Sequence, residues 1–184
     1  MSRSFETQLD GIPVRVVHRP GMKTIRIKVD DAGVCVVSAA PYISAEEMLS
    51  YVREKHDWIA RHRAERIGSP SYLAAHASKR EIESWRSVVK ACVPPLVEEW
   101  ERILGVKVGM LAYRNMTSKW GSCQPSTGRV CINIRLALYP PECLEYVVVH
   151  ELCHLLQANH GPKFWGLMDK VMPDWRERQA KLRG

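Results

Sequence analysis

Long apolar runs are missing from this 184-residue chain, and no stretch approaches the roughly 20 residues needed to span a bilayer. The first residues, Met1-Ser-Arg-Ser-Phe-Glu-Thr-Gln, also lack the apolar core of a secretory signal, so the expected location is cytoplasmic, with no membrane partner. Six cysteines are present (Cys35, Cys92, Cys123, Cys131, Cys143, Cys153), but none forms a C-x-x-C pair. That absence argues against a cysteine-rich structural zinc site. In a reducing compartment these thiols are expected to be free and mostly buried. There is no internal repeat and no low-complexity segment, which excludes solenoids and disordered tails. The basic excess of +7 is spread along the chain instead of being gathered in a tail. Such a surface favours acidic partners, nucleic acid among them, without specifying one.

What the chain does have is His150-Glu151-Leu152-Cys153-His154, preceded by the apolar Leu144, Val147, Val148 and Val149. Four residues of α-helix turn through about 400°, so His150 and His154 leave one face a single turn apart. Two imidazoles so placed can share one cation, and Glu151 stands where it can take a proton from a water. An isolated H-E-x-x-H arises by chance in roughly two of a hundred sequences of this composition, so context must carry the assignment. Pro140-Pro141-Glu142 is a good helix start. His160 would face away from a metal if the helix ran on to it, being some 240° further round. Asn159 and Gly161-Pro162 are helix-ending residues, so the expected third ligand is His160, returned by a turn after the helix. Asp174 is the alternative third ligand. Three histidines plus a spare carboxylate suit a catalytic zinc better than a structural one. Metzincins share the ten-residue spacing from His150 to His160 but need a glycine where this chain has Gln157.

The remaining elements give an α+β expectation in two parts. Residues 1–70 are read as an antiparallel β-meander and a basic helix. Asp10-Gly11, Pro20-Gly21 and Asp30 to Gly33 mark its turns, and Ile25, Ile27 and Val29 alternate with Arg26 and Lys28. Ser44 with Glu47 is a capping box opening one helix to about Ile67, with Val52, Trp58 and Ile59 on its apolar stripe and Arg53, Arg61, Arg63 and Arg66 elsewhere. The stretch from Pro70 to Ala77 is read as a connector. Residues 71–184 are read as a zincin-like core, a helix and antiparallel sheet built around the H-E-x-x-H helix. Ser78 with Glu81 opens a helix expected to break or kink at Pro94-Pro95, to resume to Leu104, and to bury Trp85, Val88, Val89, Val97, Trp100 and Ile103. Strands are expected over 106–114, 117–123 and 129–136.

Lys119-Trp120-Gly121-Ser122-Cys123, Ile132-Asn133-Ile134-Arg135-Leu136, the H-E-x-x-H helix, His160-Gly-Pro-Lys-Phe164-Trp165 and Pro173-Asp174-Trp175 together resemble the YgjP-like zinc metallopeptidases. The likeness covers nearly the whole chain. More distantly the arrangement is similar to SprT-like and WLM metalloproteases, some of which cut proteins attached to DNA. The resemblance implies metal-ligand roles for His150, His154 and His160, a catalytic base at Glu151, Zn²⁺ as cofactor and a protein or peptide substrate. Trp120, Gly121, Ser122, Asn133 and Arg135 are the candidate substrate-binding residues, with ordinary hairpin packing as the alternative for the loop. The oxyanion donor stays open among Tyr113, Lys119, Asn133, Arg135 and Tyr139, and Asp169 and Asp174 are candidate acceptors for the histidines' second N–H groups. Two rival functions stay open as well. One is a DNA-associated protease or nucleic-acid-binding adaptor; the other is a metal-binding module without peptidase activity.

Overall fold

The computed structural model describes residues 4–182. Two compact units divide the chain, Met1–His76 and Ala77–Gly184.

In the first unit, strands β1 (Ser4–Leu9) and β2 (Ile12–His18) form a hairpin through Asp10-Gly11, both with positive φ, 49° and 76°. A two-residue turn of this hand matches the twist of the strands it joins. Strands β3 (Arg26–Val29) and β4 (Cys35–Ala39) form a second hairpin, whose turn is tied by Asp30 Oδ1 accepting from the Ala32 and Val34 amides. The sheet order is β1-β2-β4-β3, with β2 and β4 parallel, so the expected meander is corrected to a mixed sheet of two hairpins. Val14, Val16, Cys35 and Val37 are buried on adjacent strands, and inserting β4 beside β2 brings these apolar runs together.

The capping box at Ser44 and Glu47 forms as expected and opens α1 (Ala45–Glu54). The single expected helix is interrupted at Lys55, where φ −96° and ψ 14° leave the α-region; α2 (His56–Arg66) follows. Met48, Val52 and Ile59 are the buried helical residues in this unit's core. The expected connector is itself a short helix, α3 (Pro70–His76), started by Ser69 Oγ accepting from the Tyr72 amide. Much of the basic face is spent internally. Arg15 pairs with Glu6 and Asp30, Arg66 with Asp31, and Arg63 donates to the Gly33 carbonyl.

The second unit is built around a helix buried on nearly every side. Its first helix, α4 (Lys79–Leu104), runs through Pro94 and Pro95 without a break and ends at Gly105 in the left-handed conformation. Both prolines, and Lys90 and Ala91 whose carbonyls lose a partner, are exposed, so water can take the freed acceptors. With the helical phase unbroken, Val89, Val93, Val97 and Trp100 form the buried stripe, while Val88 and Ile103 are exposed. Strands β5 (Met110–Arg114), β6 (Gly121–Gln124) and β7 (Arg129–Asn133) follow in the order β5-β7-β6. β6 and β7 are the expected antiparallel hairpin, but β5 pairs with β7 in parallel. The expected strand 129–136 stops at Asn133, and Ile134 to Leu138 form a 3-10 helix that buries Ile134 and Leu136.

Helix α5 (Pro141–Cys153) buries nine of its 13 residues, as an apolar helix surrounded by other elements should. α6 (Pro162–Val171) and α7 (Trp175–Lys181) complete the unit. Arg178 of α7 reaches Glu145 of α5 at 2.6 Å and Asp174 at 2.8 Å, and Lys181 reaches Glu142 at 3.0 Å. These pairs fix α7 along the central helix. Among the described residues no helix is long and apolar enough to cross a membrane.

Candidate active site

α5 stops earlier than its helix-ending residues suggest, with His154 as its C-cap. The chain then turns at once, and Gln157 N donates to the Cys153 carbonyl and Gly161 N to that of Asn159. Proline at the first position of α6 restarts the helix. The turn brings His160 back onto the end of α5. Its Nε2 stands 2.9 Å from His150 Nε2 and 3.1 Å from His154 Nε2. Among the described residues these three form the one His/Cys/Asp/Glu group able to hold a metal ion.

Three ring nitrogens facing one point cannot satisfy one another, because each pair can share at most one proton. A single cation can accept all three lone pairs, and donors about 2.0–2.1 Å from an ion fit such separations. Burial, and then the neighbouring histidines, push His150 down to about 3, and burial chiefly lowers His154 as well. Both rings are therefore neutral at physiological pH, the state that binds metal. His154 Nδ1 lies 3.1 Å from the Gln157 carbonyl, which as acceptor fixes the proton there and leaves Nε2 free to ligate. His150 Nδ1 is buried with no hydrogen-bond partner. Neither Asp169 nor Asp174 supplies one: Asp169 accepts from Trp175 and Arg176, and Asp174 pairs with Arg178. Asp174 is accordingly outside the metal-competent group.

Phe164, fully buried, is the platform for all three rings, with centroid distances of 4.9 Å to His150, 4.6 Å to His154 and 4.8 Å to His160. Trp165 stacks on His160 at 5.5 Å and on Trp175 at 4.6 Å. The spacing from His160 to Phe164 thus has a mechanical purpose. Two residues into α6, the chain places an aromatic ring against the histidine that the turn delivered.

Glu151 is buried at 5% exposure, and burial, opposed by the charge of Lys119, pushes its carboxyl up to about 8. Its closest constraint is Gly121: a Cβ built there would stand 2.7 Å from Glu151 Cγ and 2.8 Å from Cδ. β6 therefore lies directly against the carboxylate, a contact that only glycine permits.

These groups open onto a cleft of about 700 Å³. It is lined by Trp120, Gly121, Ser122 and Cys123 from β6 and the residue before it, by Tyr146, Val147, His150 and Glu151 of α5, by His160 and Trp165, and by Gln179 and Leu182. Of the candidate substrate residues, Trp120, Gly121 and Ser122 are in the cleft, whereas Asn133 and Arg135 are not. Asn133 is 2% exposed, with its amide committed to the chain. Arg135 is committed to Asn115 at 2.6 Å. Tyr146 and Gln179, joined by a 3.0 Å bond from Gln179 Nε2 to the Tyr146 hydroxyl, are cleft residues that the sequence pattern did not single out. The spacing of four from Tyr146 to His150 places both on one face of α5 and was the available signal.

Two solved structures are similar over part of the chain. One is the metallopeptidase zymogen abylysin of Pyrococcus abyssi, at 23% identity and TM-score 0.45 over 49% of this chain and 90% of that one. The other is the metallopeptidase zymogen jannalysin of Methanocaldococcus jannaschii, at 23% identity and TM-score 0.44 over 49% of this chain and 92% of that one. No curated protein matches the chain. The model of the YgjP-like metallopeptidase domain matches residues 64–184, more than half of the sequence and the whole of the second unit. The chain belongs to the YgjP-like family and carries its metallopeptidase domain.

Proposed function

We propose that the protein is a zinc-dependent metallopeptidase in which His150, His154 and His160 hold the metal and Glu151 is the general base. The observation that carries this is the convergence of two histidine Nε2 atoms on that of a third, in a cleft that a buried glutamate also lines. Three imidazoles, with no fourth protein ligand among the described residues, suit a catalytic zinc, which when bound supplies Lewis acidity to a water and to a carbonyl oxygen.

The chain's own groups do the rest. The charge of a bound zinc would favour the ionised form of the Glu151 carboxyl, whose pKa burial alone raises. The carboxylate takes the proton of the attacking water and later gives it to the leaving amine nitrogen as the C–N bond breaks. Gly121 lets β6 lie against Glu151, which limits how the carboxylate can turn. β6 is an edge strand of its sheet and lines the cleft, so an extended peptide can add beside it through main-chain hydrogen bonds. Trp120, Tyr146, Val147, Trp165 and Leu182 give the cleft an apolar character suited to a hydrophobic side chain next to the scissile bond.

The test is Glu151→Gln in the full-length protein, assayed on an internally quenched peptide library and by metal analysis. The substitution should leave zinc in place and abolish turnover. Cleavage persisting at the unsubstituted rate would remove Glu151 as base.

A further inference from the structure

The hydrolysis proposed above puts negative charge on the scissile carbonyl oxygen. As water's oxygen bonds to the carbonyl carbon, the C=O π pair moves to oxygen and the water's proton goes to Glu151. Ser122, Tyr146 and Gln179 bring neutral hydroxyl and amide groups to the cleft, so a full positive charge has to come from a lysine or arginine. Tyr113 and Tyr139 are not among its lining residues, Asn133 is buried and fully used, and Arg135 is held by Asn115. Lys119 is the one lysine or arginine among the described residues that line it, and Glu151 is its one acidic residue.

Lys119 is also unusually well placed for an exposed lysine. Asn133 Nδ2 donates to the carbonyls of Met116 and Lys119, at 2.9 Å each, and Asn133 Oδ1 accepts from Met116 N at 3.3 Å. The Asn133 backbone amide donates to the Trp120 carbonyl at 2.9 Å, and Trp120 packs edge-on against Tyr139 at 4.8 Å. One buried residue thus anchors both ends of the loop 116–120. Immediately after that loop, Gly121 is fixed against Glu151. The backbone of Lys119 is held while its four-carbon stem stays free to reach a substrate.

We propose that Lys119 is a further catalytic residue, the cation that meets the charge developing on the scissile carbonyl oxygen, and that Asn133 is the positioning residue that sets it in place. This rests on the peptidase assignment above. Lys119 neither gains nor loses a proton in the step, so its contribution is charge alone.

The experiment uses the zinc-loaded full chain and an internally quenched peptide blocked at both ends. Lys119→Met should lower kcat by roughly 10²-fold, the scale of one lost oxyanion donor, with KM, zinc content and thermal midpoint little changed. Lys119→Arg should recover much of the loss. Asn133→Ser should lower kcat similarly, and the double variant should fall no further than either single one, because the two act as a unit. A second readout is independent of turnover. Affinity for a phosphinic pseudopeptide, whose tetrahedral anion mimics the intermediate, should drop at least tenfold in Lys119→Met by calorimetry. An unchanged kcat, a rise in KM alone, or a loss confined to peptides with a free C-terminal carboxylate would each overturn the proposal. A wild-type chain with neither zinc nor turnover would contradict the peptidase assignment itself, whereas an active wild type with an indifferent Lys119→Met contradicts this inference alone.

Discussion

Gly121 and Glu151, thirty residues apart in sequence, are in such close contact that a methyl group on the glycine would stand 2.7 Å from the glutamate's Cγ. The glycine is therefore part of how the carboxylate is aimed. Gly121→Ala should displace the Glu151 side chain by an ångström or so and cost about 10²-fold in kcat, the usual effect of such a misplacement. Zinc content should stay unchanged, since the three atoms nearest that methyl all belong to Glu151. Steady-state kinetics beside metal analysis would check both halves.

Phe164 carries a different load. It is fully buried beneath three imidazoles, so Phe164→Ala should destabilise the protein by about 3–5 kcal/mol through lost contacts and a residual cavity. It should also loosen the rings and weaken metal binding. Phe164→Leu should recover part of the stability while leaving the rings without a flat support. Denaturant titration and competitive zinc titration, run on both variants, separate the two effects.

The residues outside the site make their own prediction. Glu101 accepts from Lys107 Nζ and from the Val108 amide, both at 2.6 Å, closing α4 onto the segment before β5. Burial alone would raise its carboxyl, but these bonds outweigh it and hold the pKa below the usual 4.5. A depressed folded-state pKa means the stabilisation is present above about pH 4.5 and is lost as pH falls through the folded value. Glu101→Gln should therefore cost about 1 kcal/mol at pH 7 and less towards pH 3, measured by urea unfolding across that range.

The convergence of the three histidines was legible because its demands are local. A spacing of four, an apolar flank and a nearby Asn-His-Gly-Pro turn are all written within some twenty residues, so the shared face of His150 and His154 and the return of His160 to it could be read directly. Strand pairing was not legible to the same degree. Nothing local distinguishes β4 beside β2 from a simple meander, because parallel pairing is decided by contacts between distant segments. Ile134 and Leu136 continue the two-residue alternation of β7, yet they lie in a 3-10 turn. Asn133 looks like a polar strand residue facing a substrate until its amide is seen to be consumed by the loop 116–120. The Gly121 contact and the platform under the histidines likewise depend on packing across the unit.

The central claim is that His160 joins His150 and His154 around one zinc ion. Metal analysis of purified wild-type protein and of His160→Ala, with circular dichroism on both, tests it most directly. One zinc per wild-type chain, and its loss in a folded His160→Ala, is the predicted result. Stoichiometric zinc bound with undiminished affinity by His160→Ala would contradict it.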